Sequence, residues 1–275
     1  MLTQDQAADI FDRIRKISSA DEVEVLFSGG NFALTRFANN IIHQNVGEEN
    51  HTVSVRTVFA RRTARASTNK FDDDSLRRVV ESSESLARLQ HPDPDLLPMP
   101  DSREATVNAD GACPELAEGS VRAKQVPSRH FAETAAISPQ LRADGVKKIV
   151  DVAKKHNLTT AGIFSSSESV EGVFNSRGLS AWHTQTLAEV SITMLAADSS
   201  GWQKANSPDV ANIDPPALAE IAAQKAIDSA HPAEIPAGKY TVILEPAAVL
   251  DIVGFMFWDY SGMAILDQRS FLTSR

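Results

Sequence analysis

The chain has 275 residues, 42% of them hydrophobic, and carries a net charge of −9 with a pI near 5.3. That length can bury a substantial core and suits two domains, while the acidic balance excludes a surface built for nucleic acid or anionic lipid, which needs clustered Lys and Arg. Cys113 stands alone, so no intrachain disulfide or cysteine-rich metal site can form. With no basic-then-apolar leader and no run near the ~18 apolar residues of a membrane span, a soluble cytoplasmic protein is expected.

Thr3 followed by Gln6 reads as a capping box, and Ala7, Ile10, Phe11, Ile14 and Ile17 then recur at helical spacing. Glu22 to Phe27 alternates like a half-buried strand; Gly29-Gly30-Asn31 predicts a turn, and Phe32 to Ala38 a second strand. Asn39-Asn40 predicts a tight turn into Ile41–Val46, and Thr52 to Ala60 and Arg62 to Thr68 continue an antiparallel meander. The basic run Arg61 to Arg65 lies in this alternating stretch and reads as a solvated strand face rather than a phosphate site. Asp72-Asp73-Asp74 marks a helix start, with Leu76, Val79, Val80, Leu86 and Leu89 as its expected buried face. The fold class is α+β: an N-terminal antiparallel sheet with helices on one face, over residues 1–90.

Residues 91–125 read as a linker, opened by the prolines of His91 to Pro100. Residues 101–140 have no convincing periodicity, and within them, in the 108–125 segment, Ala112 to Gln125 resembles peptides encoded by mobile palindromic repeats, implying a tolerated surface insertion in which Cys113 has no role. A second, mixed α/β domain occupies 126–275. It comprises a helix from Leu141 to Lys155, then strands Thr159–Ser166, Ser169–Asn175 and Leu179–Ala197, with Arg177-Gly178 as a hairpin turn. Pro215-Pro216 opens a helix whose apolar positions are Leu218, Ile221, Ala222, Ala226 and Ile227. Lys239 to Leu244 predicts a buried strand that leads into an apolar helix, Pro246 to Phe257.

Zinc peptidase chemistry on a helix needs two histidines on one face and a carboxylate to activate water. None of the seven histidines precedes Glu, and no two lie three to five residues apart. Asp251 is the one acid on the apolar helix; a solvent-facing or capped carboxylate competes there with a catalytic one. Asp259 and Asp267 lie too far along the chain to pair with it. His183 sits beside Trp182 on opposite faces of a pleat, where a surface or interface histidine competes with a ligand. Ser165-Ser166-Ser167 reads as a turn rather than a nucleophile, and neither a phosphate loop nor a Gly-x-Ser-x-Gly elbow occurs. Trp258 and Tyr260, beside Gly262, suit an interface or peptide-binding wall as well as they suit packing against a following segment.

Three stretches in this order resemble the TldD/TldE (PmbA) family, once called modulators of DNA gyrase: Leu34 to Asn40, Val53-Ser54-Val55-Arg56 through Ala66-Ser67-Thr68-Asn69, and Gly262 to Leu272 with Arg269-Ser270-Phe271-Leu272. The resemblance implies a heterodimeric zinc metallopeptidase of the cytoplasm, acting in proteolysis or processing of unfolded peptides. TldD-type subunits carry His-Glu-x-x-x-His on the helix after the buried strand and a cysteine ligand downstream. Laid on this chain, those positions hold Asp251, Ile252 and Met256. The chain thus resembles the TldE/PmbA type, with no catalytic residue and no metal of its own, and with zinc expected in a TldD-like partner. The family continues through a further β-rich region, so the second domain is expected to be C-terminally truncated. The expected role is to bind the partner and wall a peptide cavity, with Trp182, His183, Trp258 and Tyr260 as candidate cavity or interface residues, and Leu179 to Ala197 is the candidate strand edge for substrate. Two further readings are a regulatory binding protein without a proteolytic role, and an independent enzyme with an unrecognised site. Neither nucleic acid nor membrane is an expected partner.

Overall fold

A computed structural model describes residues 1–101 and 128–274; the insertion-like segment with Cys113 lies outside the described residues. Helix α1 (Gln4–Ile17) begins with both hydrogen bonds of the Thr3–Gln6 capping box. It is followed by β1 (Glu22–Ala38), β2 (Ile41–Phe59), β3 (Arg62–Thr68) and α2 (Asp73–Leu89), the last capped by Asp72. Then come a short α3 (Ala132–Ala135), α4 (Pro139–Lys155), β4 (Thr159–Asn175), β5 (Ser180–Leu195), β6 (Ser200–Ser207) and α5 (Pro215–Asp228). The strands form one antiparallel sheet in the order β3-β2-β1-β4-β5-β6.

Each half of this sheet is thus a helix, a three-stranded meander and a helix, and the halves join where β1 pairs with β4 about an approximate two-fold axis. The boundary expected at 91–125 separates two halves of one sheet, and residues 1–232 make one compact unit. Both hydrophobic cores use odd-numbered residues of β1. Val23, Val25 and Phe27 pack with Ile10 and Ile14 of α1 and Leu76 and Val80 of α2. Phe37 belongs to the other core, with Ile149 of α4, Phe164, Ile192 and the alanines of α5. Within residues 1–232 the helices therefore cover one face of the sheet, and Leu26 and Phe32 stand half-exposed on the other.

Several expectations need correction. Gly29-Gly30 is no turn: β1 runs straight through it, with φ of 139° and 155°. A Cβ on Gly29 would lie 2.2 Å from the Asn50 carbonyl oxygen of β2, and one on Gly30 would lie 2.0 Å from that of Glu168 on β4. The pair is needed because neighbouring backbones press in from both sides. Likewise Ser165 to Ser167 lie inside a continuous β4, and a further strand, β6, follows the expected Leu179–Ala197 strand. On α2, Leu89 points away from the sheet and Leu86 lies on the flank; at ~100° per residue, the inward stripe passes through Ser83, Glu84 and Ala87 instead. On α5, Ile221 and Ile227 are exposed and Ala219, Ala222, Ala223 and Ala226 are buried.

Residues from Ala233 form a second unit, containing α6 (Pro246–Trp258), α7 (Gly262–Leu266) and a 3-10 turn, Phe271–Ser274. The strand expected at Lys239 to Leu244 is an exposed, irregular segment, because no neighbouring strand among the described residues receives its backbone hydrogen bonds. No helix among the described residues is long and apolar enough to cross a membrane.

Candidate functional site

The second unit is simple in chemistry. Helix α6 starts with Pro246 at its first turn, carries no polar side chain except Asp251, and has no buried residue. Asp251, Ile252 and Met256 are all exposed, and neither histidine nor cysteine occurs on the helix. At its end Tyr260 stands edge-on to Phe257, with ring centroids 5.5 Å apart, and leans on Phe271 at 5.9 Å. Tyr260 is therefore engaged in local packing, whereas Trp258 is open to solvent. Among the described residues no three His, Cys, Asp or Glu side chains gather as a metal site requires.

Trp182 and His183 lie in the other unit, on β5. Of the four candidate cavity or interface residues, these two lie on one strand, and Trp258 and Tyr260 belong to the second unit. Trp182 is turned toward the helices and completes a cluster with Phe27 (centroids 6.2 Å apart) and Phe174 (6.4 Å), which also meets Phe11. Its cross-strand neighbour is Gly172, where a Cβ would lie 2.4 Å from the indole. That glycine lets the large ring lie across β4.

His183 faces the other way and lines a concavity of about 510 Å3. Register explains its lining. One row across the sheet runs Ser54, Leu26, Val173 and Ala181, and the adjacent row runs Thr52, Ser28, Glu171 and His183. Leu26, Val173 and Ala181 of the first row give an apolar floor, with Ser54 at its end, and the second row gives a polar rim. Beyond the floor, buried Glu24 accepts from Arg65 Nη2 at 2.7 Å and from Arg56 Nη2 at 3.2 Å. Arg65 of the basic run and Arg56 thus both serve an internal acid. Ser28, Glu171 and His183 do not make a hydrolytic triad. Glu171 stands between the other two, whereas activating a serine requires the imidazole to touch it.

Next to this concavity the sheet has a free edge. β6 covers only Ala188 to Leu195 of β5, which corrects the expectation that Leu179 to Ala197 is open throughout. Beyond the covered stretch, a single parallel bridge joins Arg129 to Gln185, with Thr186 N–H donating to the Arg129 carbonyl at 2.9 Å. Ser180 to Thr184 have no strand on their outer side among the described residues. The pleat alternation of Trp182 and His183 could be read from sequence. Glu171 and the limits of the edge could not, because both depend on pairing partners distant in the chain.

Two family models match the chain: PmbA/TldA metallopeptidase domain 1 over residues 23–87 and PmbA/TldA metallopeptidase central domain over residues 133–230. No curated protein matches it in sequence. Among solved structures it is similar to TldE from Thermococcus kodakarensis, with a TM-score of 0.62 and 18% identity over 80% of this chain and 47% of that one. It is also similar to a protein described as a candidate modulator of a DNA gyrase from Thermotoga maritima, with a TM-score of 0.74 and 15% identity over 94% of this chain and 58% of that one. A candidate modulator of DNA gyrase from Bacteroides thetaiotaomicron gives a TM-score of 0.75 and 15% identity over 99% and 61%. The chain thus spans between 47% and 61% of these relatives, and at such identities the likeness is one of fold.

Proposed function

Because this chain belongs to the PmbA/TldD metallopeptidase family, we propose that it is the TldE-type subunit of a two-chain zinc peptidase, supplying binding surface while a TldD-type partner supplies the metal. One observation carries this reading: where a zinc helix would offer two imidazoles and a glutamate, α6 offers Asp251, Ile252 and Met256. A lone carboxylate, an alkyl group and a thioether do not fit zinc, which takes imidazole, thiolate and carboxylate ligands. Isoleucine also cannot take a proton from water. No catalytic step is assigned to this chain.

Its contribution is to hold an extended substrate. Backbone pairing to the free edge at Ser180–Thr184 selects unfolded peptide, since it needs an exposed main chain and little side-chain identity. The apolar floor and His183 rim beside that edge would meet alternate side chains of the bound strand. A cytoplasmic location fits the single cysteine.

The test is co-expression with a TldD-type protein carrying His-Glu-x-x-x-His. The expected result is a stable complex with zinc stoichiometric to the partner and peptide cleavage by the complex alone. Cleavage by this chain alone, or stoichiometric zinc bound to it, overturns the proposal. The gyrase-modulator names of two similar structures suggest the competing role of regulatory binding protein. A folded-protein complex that forms without peptide turnover would favour it.

A further inference from the structure

The outer edge of β3 and the flank of α2 enclose a second, smaller groove that the proposed function does not use. β3 ends the sheet, and Ala66 to Lys70 form one wall of a concavity of about 310 Å3. The other wall is Ser75, Arg78, Val79 and Ser82, spaced three, four and seven residues along α2 and so on one stripe of the helix. The lining holds two cations and several hydroxyls, but no carboxylate.

The nearby acids are engaged elsewhere or exposed. Asp72 accepts from the Ser75 N–H as the helix cap and lies within electrostatic reach of Arg78, Asp73 pairs with Arg13, and Asp74 is exposed. Among the described residues neither Lys70 nor Arg78 makes an ion pair; Arg78 Nη2 donates to Ser75 Oγ at 2.8 Å. The fold itself does not call for these cations. At the matching junction of the other half, between β6 and α5, Ser207 to Ala217 contain no Lys or Arg, and Asp209 and Asp214 act as caps. In a chain of net charge −9, a groove lined by two cations and no carboxylate, with only part of the Arg78 charge offset by nearby Asp72, suits an anion.

The shape narrows the choice of anion. Ser83 Oγ donates to the Ala64 carbonyl at 3.1 Å and closes the edge there, which leaves the stretch of β3 beyond it to receive a short extended chain. Ala66 and Val79 would meet a small apolar side chain. The volume is at the low end for ligand pockets, which run from about 300 Å3, so it suits a chain end rather than a long peptide. We infer that this groove binds the C-terminal carboxylate of an extended peptide, with Lys70 and Arg78 on the carboxylate and the β3 edge on the last backbone groups. The site is separate from the Ser180–Thr184 edge and needs no zinc-bearing partner.

The experiment titrates the full chain with an N-terminally fluorescent tetra-alanine bearing a free C-terminal carboxylate, and with the same peptide as its C-terminal amide. The free acid is expected to bind, and the amide at least about tenfold more weakly, as loss of a charge-assisted contact implies. Arg78→Gln and Lys70→Gln should each weaken the acid roughly fivefold without altering the amide. Both positions are exposed, and an unchanged melting curve verifies that each variant folds. Equal binding of acid and amide, or binding of neither, overturns the inference. So does inorganic phosphate that displaces the peptide while binding as tightly, because the groove would then read a bare oxyanion rather than a chain end.

Discussion

The two halves of the sheet share an order of elements and reach their packing by opposite means. In the first, the closing helix α2 fills space with branched side chains: Leu76, Val79 and Val80 sit on Val53, Val55 and Phe27. In the second, the closing helix α5 presents alanines at 219, 222, 223 and 226, and β6 meets it with Gly201. A Cβ at Gly201 would lie 2.0 Å from the Ala222 carbonyl oxygen and 2.6 Å from the Ala226 nitrogen. One half is held by volume, the other by its removal, which lets helix and strand backbones touch. The buried polar latches differ too. Glu84 on α2 accepts from Ser18 Oγ (2.7 Å), Ser19 N–H (2.7 Å), Ser19 Oγ (2.8 Å) and Arg88 (3.2 Å). On α4 the buried guanidinium of Arg142 donates to Thr35, Ile137 and Asn45, all neutral acceptors.

The contrast is broken most severely at Gly201. Gly201→Val has nowhere to put its side chain, and the expected loss exceeds about 4 kcal/mol or abolishes the folded state. Leu76→Ala in the other half leaves a cavity and should cost about 3 kcal/mol. Urea denaturation of both variants measures the difference. A cost below about 1 kcal/mol for Gly201→Val would mean that α5 is not seated on β6 as described.

The latches give the next largest effects. Burial pushes the Glu84 carboxyl up, but the hydrogen bonds from Ser18, Ser19 and Arg88 outweigh it and hold it below the usual range. Glu84→Ala should cost about 2–3 kcal/mol at neutral pH. Because the folded-state pKa is the lower one, that contribution is complete above the unfolded-state value and fades as pH falls through the folded-state value. Wild type and Glu84→Gln should therefore converge in acid, and a gap that widens there would contradict the sign. Burial alone lowers the Arg142 pKa, with no acid to oppose it. Arg142→Met exchanges a desolvated charge for an apolar chain of similar length, so the expected change is within about 1 kcal/mol. Thermal denaturation compares the two latches directly.

What the sequence reveals follows from how local each cause is. The capping box at Thr3, the Asp72 cap and the proline start at Pro215 are satisfied within a single turn, and each is legible. Gly29-Gly30 is a local turn signal whose real cause is two neighbouring backbones, one of them more than a hundred residues away. β6 hides because its one buried residue is Gly201, which carries no apolar side chain. Helix α5 is only half legible: Ala222 and Ala226 are among its expected apolar positions, whereas Ala219 and Ala223 give way to the larger Ile221 and Ile227. At the candidate site, Trp182 and His183 declare opposite faces by adjacency. Whether β5 is paired on its outer side depends on where β6 stops.

That limit sets up the smallest and most specific prediction. Thr186 N–H points outward to Arg129, so by the two-residue alternation of a strand the N–H of Thr184 also points away from β4. Thr184→Pro removes a donor the β4 ladder does not use, and prolines are tolerated on strand edges. The expected stability loss is about 1 kcal/mol or less, whereas Ile192→Pro, inside the stretch covered by β6 and in the core, should cost about 3 kcal/mol or more. If an extended peptide adds at this edge, Thr184→Pro also removes one of its few backbone bonds and blocks its approach with the ring. Peptide turnover by the complex with a TldD-type partner should then fall at least about tenfold while the melting temperature and complex formation hold. Undiminished turnover in that variant would move the substrate away from β5 and leave Ser180–Thr184 as an edge without a guest.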